Sequence, residues 1–300
     1  MAIQRNQLNI MRARRRVRLR SALLLSVLAC AVSLLFGQAM SLSGASLAPF
    51  ARWLLEALVT VIAFGMTAYL GLCVLDGDQK KTLPLYQLTR GQIFWLSLLG
   101  MLLVAPMTLM GDLLEGLFAP QQTAETAARS SHALFLLTLL KSALLAPICE
   151  EIFFRGYLQG ALSRISKAKA ALVSALVFAL AHGLSLYGFV PRLLLGLLLS
   201  LLMEKTGTLL APVLVHGCYN AAIVVIAYSG LAPLFSGLTL ASCALRLALL
   251  LICLYALRRA YTTRGLKKPV QPLDALRFTK RELVLIVLSV ILVIVAEVLA

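Results

Sequence analysis

The sequence predicts an all-α, polytopic membrane helix bundle of eight to nine spans. Three observations carry that prediction. The 300-residue chain is 61% hydrophobic, where soluble domains run at roughly 45–50%. Only 13% of its residues are charged. Apolar runs of about 20 residues, the length that crosses a hydrocarbon core, recur along it. No long polar stretch offers material for a soluble domain, so residues 1–300 read as a single integral membrane domain.

Nine candidate spans follow in order: 21–41, 53–75, 91–111, 133–163, 170–187, 190–204, 208–229, 236–257 and 282–300. The first is an uncleaved anchor, because more spans follow it and no small-x-small cleavage site is clear. The fourth is overlong for one crossing. The sixth is short and carries Pro191 near its start, and the eighth contains Arg246.

The charge balance of +16 is resolved by position. Seven arginines lie in residues 1–20, a basic cytoplasmic tail, and eight Lys or Arg lie between Arg258 and Arg281. With the N-terminus in the cytoplasm, inward segments hold twenty-two basic residues. The outer side holds Arg52, Arg129, Lys141 and Arg192. That asymmetry fixes a cytoplasmic N-terminus and suits anionic lipid headgroups. No nucleic-acid reading motif accompanies the charge, so nucleic acid is not expected as a partner. The six cysteines sit in or at the ends of apolar runs without a CxxC, and read as small apolar residues rather than disulfides or zinc ligands.

Ionisable groups at membrane depth cost at least about 2.5–3.5 kcal/mol and mark function. Three segments concentrate them: Glu150-Glu151-Ile-Phe-Phe-Arg155, Phe178-Ala-Leu-Ala-His182 and His216-Gly-Cys-Tyr-Asn220. Each pairs residues at i,i+4, one face of a helix. Glu151 and Arg155 pair along one helix, Phe178 lies under His182, and His216 and Asn220 point the same way from a third. At about 1.5 Å per residue, Glu150 lies roughly 13 Å from the outer side, and His182 and Asn220 roughly 12 Å. Arg246 has no evident partner, and Glu56 lies close enough to an outer end to reach water. His132 falls in an outer polar loop.

Carboxylate and imidazole facing one water make a general-base pair. A second imidazole and an amide N–H donate to a developing oxyanion. Water nucleophile, base and oxyanion donors are the parts needed to hydrolyse an amide bond.

The set EExxxR, FxxxH and HxxxN, in that order on successive membrane helices, resembles the CPBP or Abi family of intramembrane proteases, the CAAX prenyl-endopeptidase and bacteriocin-processing proteins. The resemblance covers roughly residues 141–227, the catalytic motif-bearing core. It implies that Glu150 and His182 activate the attacking water and that His216 and Asn220 stabilise the oxyanion. Glu151, Arg155 and Phe178 are then supporting residues. No cofactor is expected; the alternative is a zinc ion with Glu150, His182 and His216 as ligands. The implied substrate is a membrane-associated, prenylated or processed peptide or protein.

Two other classes compete. A proton- or ion-coupled transporter would use the same cluster as a relay, although no internal repeat of the transporter kind is evident. A non-catalytic immunity or scaffold protein would keep its phenotype without Glu150. The Arg-rich start and the Leu- and Ala-rich composition suit a bacterial cytoplasmic membrane.

Overall fold

The structure is a computed structural model that describes residues 21–33, 35–36, 47–75, 83–118, 132–163, 166–183 and 186–262. The basic tail 1–20, Arg129 and the ninth expected span 282–300 lie outside the described residues. Every regular element among those described is helical. We number them α1 (Ser21–Ser33), α2 (49–75), α3 (Arg90–Leu102), α4 (Val104–Phe118), α5 (132–163), α6 (Lys167–Ala181), α7 (Leu186–Thr206), α8 (Leu210–Tyr228), α9 (Ala232–Phe235) and α10 (Leu240–Thr262). Five stretches are long and apolar enough to cross a membrane: Pro49–Leu72, Arg90–Leu117, Tyr187–Thr206, Leu210–Tyr228 and Leu240–Tyr261.

The helix starts follow local chemistry. Pro49 sits in the first turn of α2, where its missing N–H costs nothing. A reciprocal capping box opens α3: Gln92 N donates to Thr89 Oγ1, and Thr89 N donates to Gln92 Oε1. Ser166 caps α6 by accepting from Lys169 N.

The overlong fourth segment is one continuous helix, α5. It absorbs its length through wide i→i+5 turns at Leu140–Leu145 and Ile152–Gln159. Such π-turns shift the faces a helix presents and recur at functional sites.

Two apolar cores flank the motif helices. One gathers Phe64 of α2, Phe153, Phe154 and Tyr157 of α5, and Phe178 of α6. The other gathers Leu96 and Leu99 of α3, Leu199 and Leu202 of α7, and Val215 of α8. Helix α8 approaches α5 at Gly217, where a Cβ would stand 2.5 Å from Ala143 O, so any side chain would force the helices apart. The outward faces stay apolar, with Leu24, Leu117 and Leu251 exposed, as lipid contact requires.

Three expectations change, and Arg246 gains partners that the sequence did not reveal. The fifth span, expected over 170–187, ends at Ala181, because Gly183 turns the chain at φ +118°. Helix α4 runs on through Phe118, so Asp112 is helical rather than part of an outer loop. His132 likewise opens α5 instead of sitting in a loop. Arg246 does have partners: its guanidinium reaches Asp112 Oδ2 at 2.6 Å and Phe235 O at 3.3 Å, and it also donates to Gly237 O. Glu56 is tied as well, to Arg52 along α2 and to Lys141 of α5.

Candidate active site

Helix α5 carries Glu150 and Glu151 at the join between an α-helical turn and the π-helical stretch that follows. Both carboxylates are buried, Glu151 completely. Glu151 Oε1 accepts from Arg155 Nη1 and from His216 Nδ1, each at 2.8 Å. Arg155 is buried too, and its Nη2 donates to Gly196 O of α7 at 2.9 Å. A buried charge is tolerable only when paired and hydrogen-bonded, and this arrangement supplies both conditions.

His182 occupies the C-cap of α6, at φ −100° and ψ 0°. That bridge conformation is where many active-site residues sit. Its Nδ1 lies 2.8 Å from Phe178 O. A carbonyl only accepts, so Nδ1 carries the proton and the neutral ring keeps its lone pair on Nε2. Nε2 faces Glu150 Oε2 at 3.5 Å. His216 Nε2 faces the same oxygen at 4.0 Å. Glu150 Oε2 makes no hydrogen bond within the protein.

Phe178 does more than fill space. Its ring lies tilted against His182 with centroids 4.6 Å apart and meets His216 edge-on at 5.5 Å. The Arg155 guanidinium lies 4.7 Å from its centroid, within cation–π range. Gly196 makes room for this packing: a Cβ there would press on Ala175 Cα at 3.1 Å and Phe178 Cδ1 at 3.2 Å.

The three motifs therefore converge. Glu150, Glu151, Arg155, Phe178, His182 and His216 form one contiguous cluster. Asn220 follows on α8, one turn beyond His216. Its Nδ2 donates to Ser142 O of α5 at 2.8 Å, two turns before Glu150. One amide proton is thus engaged, and the other remains to donate elsewhere.

Sequence reasoning missed the carbonyls of Gly196 and Ser142, since a backbone acceptor leaves no residue-type signal. The lone glycine in the leucine run LLLGLLLS was the available hint for Gly196. A surface groove of about 440 Å³ along Arg90, Phe94 and Met101 of α3 includes no residue of this cluster.

Among the described residues, no group of three His, Cys, Asp or Glu side chains is placed to hold a metal ion.

An apolar helical bundle with a buried Glu, His and Arg cluster between its helices defines the chain as a membrane protein with an ionisable interior site. Residues 132–222, which contain all three motifs, match the family model described as type II CAAX prenyl endopeptidase Rce1-like. That match falls on the segment whose motifs resemble the CPBP or Abi family. No curated protein and no solved structure matches the chain.

Proposed function

We propose that this chain is an intramembrane endopeptidase in which Glu150 and His182 activate water. The observation that carries the reading is the position of Glu150 Oε2. It is buried and makes no hydrogen bond within the protein, with two imidazole Nε2 atoms at 3.5 and 4.0 Å. A water hydrogen-bonded to that oxygen lies within reach of both imidazoles.

The water donates to Glu150 and to the Nε2 lone pair of His182, and its oxygen attacks the scissile carbonyl carbon. The proton passes to the Glu150 carboxylate as the C–O bond forms. Glu151 holds the proton on Nδ1 of His216, so Nε2 of that ring donates to the oxyanion when the ring carries both protons. The second amide N–H of Asn220 is the further donor. Collapse breaks the C–N bond, and Glu150 returns the proton to the departing amine. The reaction as written uses only this chain's own groups, without a metal.

The substrate is a membrane-associated peptide or protein, prenylated or otherwise processed. We infer eight to nine spans from the apolar runs, a cytoplasmic N-terminus from the charge asymmetry, and a bacterial cytoplasmic membrane from the Arg-rich start and the Leu- and Ala-rich composition. Anionic headgroups contact the basic flanks, and nucleic acid is not a partner. The core 141–227 carries the chemistry.

The test compares Glu150→Ala with the wild type at matched membrane levels, by mass spectrometry of protein and peptide termini in the producing cell. A set of termini that vanishes in the variant names the substrates. Unchanged termini would transfer the cluster to a transport relay or a structural role.

A further inference from the structure

The Glu151–Arg155 pair is the top of a longer polar series. Arg155 Nη2 donates to Gly196 O at 2.9 Å, and one turn on Gln159 Nε2 donates to Ser200 O at 3.1 Å. Both bonds join a residue of α5 to the residue 41 positions later on α7, so the helices run parallel and in register. One further turn along α7 is Glu204. Glu151, Arg155 and Gln159 thus face Gly196, Ser200 and Glu204, each set spaced by four. The apolar face of α7, with Leu195, Leu199 and Leu202, turns instead toward the core built with α3 and α8.

This seam holds polar atoms that the protein does not satisfy. Glu151 Oε2, Arg155 Nε, Gln159 Oε1, Ser200 Oγ and Glu204 Oε1 are all buried without a hydrogen-bond partner in the protein. Glu151, Arg155, Gln159 and Ser200 are each at least 97% buried. Orphaned polar atoms in a dry interior cost more than an ordinary hydrogen bond returns, so native proteins pair nearly all of them. Donors and acceptors alternate along the seam at helical-turn intervals, and such groups are commonly satisfied by buried water. Glu204 is half-buried at the C-terminal end of α7, beside exposed Lys205, where the series meets the surface.

We propose that the α5–α7 seam binds a file of water molecules from Glu204 to Glu151, a hydrated passage between the C-terminal end of α7 and the reaction centre. Its use as the supply of attacking water rests on the hydrolase reading above; the passage itself does not.

Silver ion, a thiol-seeking cation comparable in size to water, tests it. Full-length chain in lipid nanodiscs carries Ser200→Cys, or Leu199→Cys as the dry neighbour at the same depth. After brief silver exposure the protein is unfolded, free thiols are alkylated, and each cysteine is scored by peptide mass spectrometry. Native Cys253, buried in the second core, is the internal dry reference. Thiols react as thiolates, which dry burial suppresses. Silver should therefore block the thiol at 200 at least about tenfold faster than those at 199 and 253. Gln159→Cys gives an independent second reading across the seam. Thiols at 200 and 159 blocked no faster than those at 199 and 253 would overturn the passage. Neither readout depends on peptide cleavage, so failure here and failure of the hydrolase reading are distinguishable.

Discussion

His216 Nδ1 lies 2.8 Å from Glu151 Oε1, and that single bond ties the third motif to the first. The same carboxylate oxygen also receives Arg155. Glu151 is therefore the hub of the buried charges, while its neighbour Glu150 keeps an oxygen without a hydrogen bond in the protein. Two adjacent glutamates should differ sharply in what they contribute.

Glu150→Gln should leave stability nearly unchanged, since Oε2 has no protein hydrogen bond to lose. Cleavage should fall by about 10²–10⁴, the usual worth of a general base. Thermal unfolding in detergent and cleavage rate, measured on one preparation, check the pair of outcomes. A large loss of melting temperature would mean that Glu150 is structural.

Arg155→Met should show the opposite balance. It removes the cationic partner of a fully buried carboxylate, leaving His216 alone on it, and the link to Gly196, at a cost of about 3–5 kcal/mol. Reduced yield and a lower unfolding midpoint are the expected readout, with activity lost in proportion to the folded fraction or more.

Gly196→Ala adds one methyl 3.1 Å from Ala175 Cα and 3.2 Å from Phe178 Cδ1, so those neighbours must give by a few tenths of an ångström. Overpacking of this kind costs about 1–3 kcal/mol. Because Phe178 supports both histidines, cleavage per folded molecule should drop as well. Unchanged specific activity would show that the Phe178 ring tolerates displacement.

Phe178→Leu keeps an apolar group and removes the ring faces that meet Arg155, His182 and His216. The lost aromatic and cation–π contacts are worth about 1–2 kcal/mol together. A modest loss of stability should accompany a larger loss of cleavage, read by kcat at saturating substrate.

Asp112→Ala probes the second buried pair. Arg246 is completely buried, and losing its carboxylate partner should cost about 3–5 kcal/mol. The pair lies between α4 and α10, outside the motif cluster, so cleavage per folded molecule should persist. A selective loss of cleavage would link that pair to catalysis.

Much of the site was legible in the sequence because helical spacing is rigid. The Glu151–Arg155 pair follows from i,i+4 geometry alone. The placement of Phe178 one turn under His182 follows in the same way. The partner of Arg246 was hidden because Asp112 read as loop, and α4 continues through it. The end of α6 was hidden for a related reason. Apolar residues run on past His182, and a single glycine with positive φ breaks the helix among them.

The sequence by itself determined an apolar helical chain, three charged motifs in a fixed order, and the residue types of a water-activating site. Composition and periodicity act locally, and they dictate those features whatever the packing. Only the tertiary structure decided which glutamate is free and which is held. That choice depends on a bond from α8 to α5 and on a carbonyl of α7. Asn220 is anchored in the same way, by a bond to Ser142 O. Backbone acceptors and inter-helix register have no residue code, and they exist only once the helices have packed.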